Sequence, residues 1–174
     1  MKITGRNIKR RLYGLRTLPS HLKRARHFRG HGVHSPYVYN IVRQVFMRST
    51  FIADDRTLYD ALIAKGVAKR RALQLQNLME HLRYESYSID CAVADIGKSE
   101  IAIVTIDQSP ELFPALADEA RTTGTTLCII APSLDSERDV MCKRLVDEHP
   151  CTSVDNRGYL LLFNNHLPKQ KFRL

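Results

Sequence analysis

The sequence predicts an α/β fold: a mostly parallel sheet ending in an antiparallel hairpin, preceded by a basic helical N-terminal arm. Three observations carry that expectation. Helix-type and strand-type periodicities alternate through the second half of the chain, which is the pattern of helices packed on a parallel sheet. Ile101-Ala-Ile-Val-Thr-Ile106 and Thr126-Leu-Cys-Ile-Ile-Ala131 are near-continuous apolar runs, suited to strands buried on both faces. Asn156-Arg-Gly158, with hairpin chemistry, separates two final strands near Cys151 to Asp155 and Tyr159 to Asn164.

Composition sets the frame. With 174 residues, 44% hydrophobic and 26% charged, the chain has the make-up of one globular core with an appendage. No apolar run reaches the roughly 18 residues of a membrane span, and the basic N-terminus lacks the apolar stretch of a secretory signal. The expected compartment is the cytoplasm. Cys91, Cys128, Cys142 and Cys151 lie singly in apolar or amphipathic segments, without C-x-x-C spacing, and read as buried reduced thiols.

The net charge of +9 is unevenly spread. Residues 1–53 hold twelve Lys or Arg and no acid, leaving fifteen bases against all eighteen acids in 54–174. Such a block can bind nucleic acid or an anionic membrane surface, or can dock across the acidic body of its own chain. We therefore divide the chain into a basic helical arm, 1–53, and an α/β domain, 54–174.

Within the arm, Ile8, Leu12 and Leu15 have the spacing of a helix stripe that Pro19 should end. Gly30 and Gly32 then forbid a regular helix and require a shaped loop. Ser35-Pro36 is a helix start, with the hydroxyl as cap and Pro at the first helical position. Val38, Ile41, Val42, Val45 and Phe46 follow on one face, which predicts a core-facing helix. His27, His31 and His34 have no acid or Cys nearby and no shared helical register, so no metal site is expected. Hydrogen bonds that fix the loop, or contacts with a neighbouring pocket, suit His31 and His34 better.

In the domain, Asp54 and Asp55 should cap a helix to Ala64 that Gly66 closes, with Leu58, Ala61 and Leu62 inward. A second helix, Ala68 to Arg83, buries Leu75, Leu78, Met79 and Leu82. Tyr87, Ile89, Cys91 and Val93 then alternate as a strand before Asp95-Ile-Gly97. Ser109-Pro110-Glu111 starts a helix ending at Gly124, and Ser133 or Asp135 starts another that His149-Pro150 stops. The tail from Leu167 to Leu174 is basic and strand-compatible, with exposure to solvent expected.

Ligands of open α/β sheets bind outside the carboxyl ends of the strands, where Asp95, Asp107 and Ala131 to Ser133 are expected. Asp107 follows a buried strand and precedes a helix start. A carboxylate there could hold a metal, accept a proton or cap the helix. Gly97 is the one glycine after the first strand, and no G-x-G-x-x-G or Walker loop is present.

Arg29-Gly-His-Gly-Val-His-Ser-Pro-Tyr-Val-Tyr39 resembles the N-terminal signature of a bacterial family of class I S-adenosylmethionine-dependent methyltransferases. Ser153-Val-Asp155, Gly158-Tyr-Leu-Leu-Leu-Phe163 and Leu167-Pro-Lys-Gln-Lys-Phe172 are similar to that family's closing hairpin and basic terminus. Ile103-Val-Thr-Ile-Asp107 resembles the strand whose end carries an acid beside the cofactor pocket. The resemblance implies a reduced Rossmann-like methyltransferase sheet, Asp107 as the catalytic candidate, and His31, His34, Asp95 and Gly97 as cofactor-binding candidates. S-adenosylmethionine is implied by that resemblance alone. The chain departs from the family where its first strand should lead to a glycine-rich loop and a second strand with a ribose-binding acid. Ile130-Ala-Pro-Ser133 also stands where the family carries an acidic pair. The expectation is a shortened, degenerate member that works as a binding or scaffold module, with residual methyl transfer as the alternative.

Overall fold

The computed structural model describes residues 33–174. Helix α1 (Pro36–Ile41) begins where Ser35-Pro36 dictates: the Val38 N–H donates to Ser35 Oγ at 3.4 Å, and Pro36 takes the first helical position. It runs into one wider turn, Val42–Phe46, in which the Met47 N–H reaches back to the Val42 carbonyl. Val38, Ile41, Val42, Val45 and Phe46 are all buried. These residues belong to the segment 1–53 set apart above as an arm, yet here they pack into the same core as the sheet.

Helix α2 (Thr57–Ala64) has Arg56 at its N-cap without a side-chain cap bond; Asp55, one residue earlier, makes an Asx turn into it, its carboxylate accepting from the Thr57 N–H at 3.1 Å and the Thr57 hydroxyl at 3.0 Å. Gly66, at φ +77°, turns the chain out of it. Helix α3 (Lys69–Leu82) buries Leu75, Leu78 and Met79 as expected, and buries Gln74, Gln76 and Asn77 as well. These amides are used. Gln74 donates to the Phe46 carbonyl at 2.8 Å, and Asn77 donates to the Thr50 carbonyl while accepting from the Ile52 N–H. They satisfy the irregular backbone between α1 and α2, which would otherwise bury polar groups unpaired.

Strand β1 is Tyr87–Ile89, shorter than the alternation through Val93 predicts. Asp90 adopts a left-handed backbone at φ 52° and turns the chain away, so Val93–Lys98 forms a short 3₁₀ helix instead. Strand β2 (Ile101–Val104), helix α4 (Phe113–Thr123), strand β3 (Thr126–Ile130) and helix α5 (Ser136–Glu148) follow in turn. Strands β4 (Ser153–Asp155), β5 (Tyr159–Leu162) and β6 (Lys171–Arg173) complete one mixed sheet in the order β1-β2-β3-β5-β4-β6.

Only β5 runs against its neighbours; β1, β2 and β3 are parallel, as are β4 and β6. Alternate residues of the central strands enter two cores. Ile101, Ile103, Cys128, Ile130 and Leu161 face α1, α2 and α3, whereas Ala102, Val104, Leu127, Ile129 and Leu160 face α4 and α5. The result is an α/β domain with helices on both faces of the sheet.

The tail forms the strand expected and exposes Pro168, Lys169, Lys171 and Arg173, but its apolar residues turn inward. Lys171–Arg173 adds β6 beside β4, Phe172 packs on the core, and Leu174 is buried with its N–H on the Asp155 carbonyl. At the β4–β5 turn, a Cβ on Gly158 would stand 2.0 Å from Arg71 Nε, so this glycine lets the α3 arginine cross the hairpin closely. No helix among the described residues is long and apolar enough to cross a membrane.

Candidate functional site

The carboxyl ends of β1, β2 and β3 gather the charged and strained residues. Asp90, just past β1, is nearly buried. Its carboxylate accepts from the Thr105 N–H at 2.7 Å, the Thr105 hydroxyl at 2.8 Å and the Lys65 ammonium at 3.1 Å. Left-handed backbone is tolerated by Asp better than by most residues, which is why this side chain can both make the turn and cross to β2. The hydrogen bond to Asp90, then its charge, hold the Lys65 ammonium above the usual lysine range.

Asp107 sits on the outer side of this cluster. Its N–H donates to Thr105 Oγ1 at 3.3 Å, and its exposed carboxylate is 3.8 Å from Lys65. The two carboxylates therefore share one lysine, with Asp90 held and Asp107 in solvent.

Arg138 straps the next pair of strands. Extending from α5, whose N-cap Asp135 accepts from the Arg138 N–H, it is 2% exposed. Its guanidinium donates to the Ile130 carbonyl at 2.9 and 3.2 Å, the Thr105 carbonyl at 2.8 Å and the Gln108 carbonyl at 3.3 Å. It also lies over the Phe113 ring, 4.7 Å from the centroid. Ala131, directly after β3, is held at φ 50° with its N–H on the Gly158 carbonyl. The arginine thus closes the ends of β2 and β3, while Asp90 closes those of β1 and β2.

The other candidate residues are not brought to Asp107. His34 is exposed just before α1, a helix that starts at the opposite end of the sheet. There Tyr37 stacks edge-on against Phe163 at 5.4 Å and accepts a hydrogen bond from Asn165. Asp95 lies within the 3₁₀ helix, ion-paired with Lys98 at 2.5 Å. Gly97 is at the amino ends of β2 and β3, where a Cβ would meet Thr123 Cγ2 at 2.6 Å; its role is close packing against α4. His31 lies outside the described residues. Among the described residues, no three His, Cys, Asp or Glu side chains group as metal ligands do.

Sequence reasoning passed over Asp90, Lys65, Thr105 and Arg138. Reading the alternation on to Val93 put Asp90 in mid-strand, and nothing local in the sequence distinguishes Arg138 from the other cations of its helix. The available signal for Asp90 was its match with Asp107, each an acid directly following a β-type run. Chemically, a carboxylate that already accepts two short hydrogen bonds and pairs with an ammonium has little capacity left for an incoming ligand. Asp107 is open to solvent and free to meet a ligand.

No protein-family model matches the chain, and neither a curated protein nor a solved structure does.

Proposed function

We propose that the chain is a reduced, Rossmann-like methyltransferase module that works by binding and does not transfer methyl groups. The observation that carries this reading is Asp90. Nucleotide-type cofactors need a turn after the first strand whose backbone amides face outward, with glycines that permit close approach. Here that turn is made by an acid whose side chain folds back onto Thr105 and Lys65. A carboxylate already engaged by Thr105 and Lys65 in this position is not available to accept from a ribose and is no partner for the cofactor's own carboxylate.

The strand order supports the same reading. Doubly wound sheets open their ligand crevice where the order reverses beside the first strand. In the described residues β1 is an edge, so the order ends there without reversing. Arg138 further occupies the space between the ends of β2 and β3 with bonds to the protein's own carbonyls.

Isothermal titration with S-adenosylmethionine and its demethylated product tests the proposal. Heats indistinguishable from dilution are expected. Micromolar binding of either ligand would instead favour residual methyl transfer, with Asp107 as the residue at the pocket.

A further inference from the structure

A basic concavity of the domain lies away from these strand ends. A groove of about 430 Å³ runs between the Met47–Phe51 segment, Tyr59 of α2 and the first turn of α3. Arg48, Lys69 and Arg70 line it together with Phe51, Tyr59 and Leu73, and no acid does. Its volume falls in the range of built ligand sites, about 300 to 1,000 Å³.

Several features of this groove are costly without an anionic ligand. Helix α3 opens with Lys69-Arg70-Arg71, has no acid in its first turn, and receives no side-chain cap at Ala68. Cations at the amino end oppose the helix dipole, the reverse of the stabilising arrangement. Arg48 and Lys69 are exposed and pair with no carboxylate among the described residues, and residues 1–32 contain no acid to supply one. Asp60 follows Tyr59 directly but does not line the groove, and Asp55 is engaged by Thr57 at the start of α2. Some other surface cations are paired: Arg121 meets Asp118 at 3.0 Å and Arg144 meets Glu148 at 2.7 Å.

The aromatic residues make the groove more than a charged patch. Phe51 and Tyr59 meet edge-to-face at 5.2 Å, and Arg56 lies 4.7 Å over the Phe51 ring. Both rings are half-buried, so each keeps an accessible part. Cations along a groove with aromatic surface at its wall match a strand of phosphates bearing unstacked planar bases. A membrane surface fits less well, since the patch is concave and its rings are withdrawn. We propose that this groove binds single-stranded nucleic acid, with Arg48 and Lys69 on phosphates and Tyr59 stacking on a base. The proposal concerns a surface separate from Asp90 and Asp107 and holds whichever way the cofactor titration falls.

Fluorescence anisotropy of the full chain with labelled dodecamers of oligo(dT) and oligo(rU), over a salt series, tests it. Residues 1–32 add charge of their own, so the comparison is among variants of the full chain. Arg48→Ala/Lys69→Ala should weaken binding at least tenfold and flatten the log K against log salt slope by about 1.4, roughly 0.7 per lost phosphate contact. Tyr59→Leu should weaken binding about fivefold or more while leaving that slope unchanged. The paired-cation control Arg121→Ala/Arg144→Ala should stay within about twofold of the parent. The proposal is overturned if the full chain binds neither dodecamer at low salt. It is equally overturned if the groove pair or Tyr59→Leu behaves like the control; circular dichroism verifies that each variant is folded.

Discussion

Replacing Asp90 by Ala removes the acceptor on which the Thr105 N–H and hydroxyl both depend, at 2.7 and 2.8 Å, and breaks the Lys65 pair. Thr105 is 1% exposed, so its N–H is left buried and unpaired, a loss of about 1 to 3 kcal/mol. The Lys65 pair adds little, because the lysine is partly in solvent. Alanine must also hold φ 52°, which costs about 1 kcal/mol more than it costs Asp. Together these give a destabilisation of about 3 kcal/mol. Asp90→Gly loses the same bonds but not the backbone strain, so it should be the milder variant by about 1 kcal/mol. Asp90→Asn keeps an oxygen acceptor and tolerance of the left-handed turn, and should cost about 1 kcal/mol. Urea unfolding followed by far-UV circular dichroism at neutral pH measures all three. An alanine variant within about 1 kcal/mol of the parent, or a glycine variant less stable than alanine, would refute the reasoning.

Three further outcomes follow from the same geometry. Arg138→Ala should lose about 3 to 5 kcal/mol in the same assay, since it empties a buried site and orphans the Thr105 and Ile130 carbonyls. Burial above all holds the His149 imidazole below its ordinary range, and burial does the same to His81. Above about pH 6.5 both folded and unfolded states are neutral; below it the unfolded chain takes up protons first, so stability falls as pH drops. His149→Gln, which can still donate to the Phe163 carbonyl, should shallow that fall between about pH 7 and pH 5 in urea titrations. Burial also pushes the Cys142 thiol up to about 12 and raises Cys128 further still, whereas Cys91 and Cys151 are only half-buried. Iodoacetamide on the native protein, read by mass spectrometry, should label Cys91 and Cys151 and spare Cys128 and Cys142.

Much of the fold was legible because periodicity and stop signals agree. Ser35-Pro36, Gly66, Gly124 and Asp135 mark helix boundaries in both sequence and structure, and the runs at Ile101 and Thr126 are strands buried on both faces. The misreadings have physical causes. Asp90 broke a regular alternation because a long-range bond to Thr105 outweighs the local preference to continue the strand. Leu174 and Phe172 looked exposed because a tail's burial depends on an open strand edge, β4, which no local pattern reveals. The buried amides of α3 serve loops 20 to 30 residues away, as Gln74 serves Phe46 and Asn77 serves Thr50 and Ile52.

The candidate site was legible at Asp107 and at Ala131, which do stand at the carboxyl ends of β2 and β3. Asp95 and Gly97 were placed there by counting from a strand that stops earlier than its alternation, so the 3₁₀ helix carries Gly97 to the other end of the sheet. Lys65 and Arg138 reach the strand ends from helices far off in sequence, and a lysine after α2 or an arginine within α5 carries no local mark of that role.

The central claim is that the strand ends are closed by the protein's own groups and do not receive a methyl-donor cofactor. A ¹H–¹⁵N NMR titration with S-adenosylmethionine, following the amides of Asp90, Thr105, Asp107 and Ala131, tests it at the residues concerned. The account predicts that these resonances stay in place up to millimolar cofactor; saturable shifts of the same four amides at micromolar concentrations would contradict it.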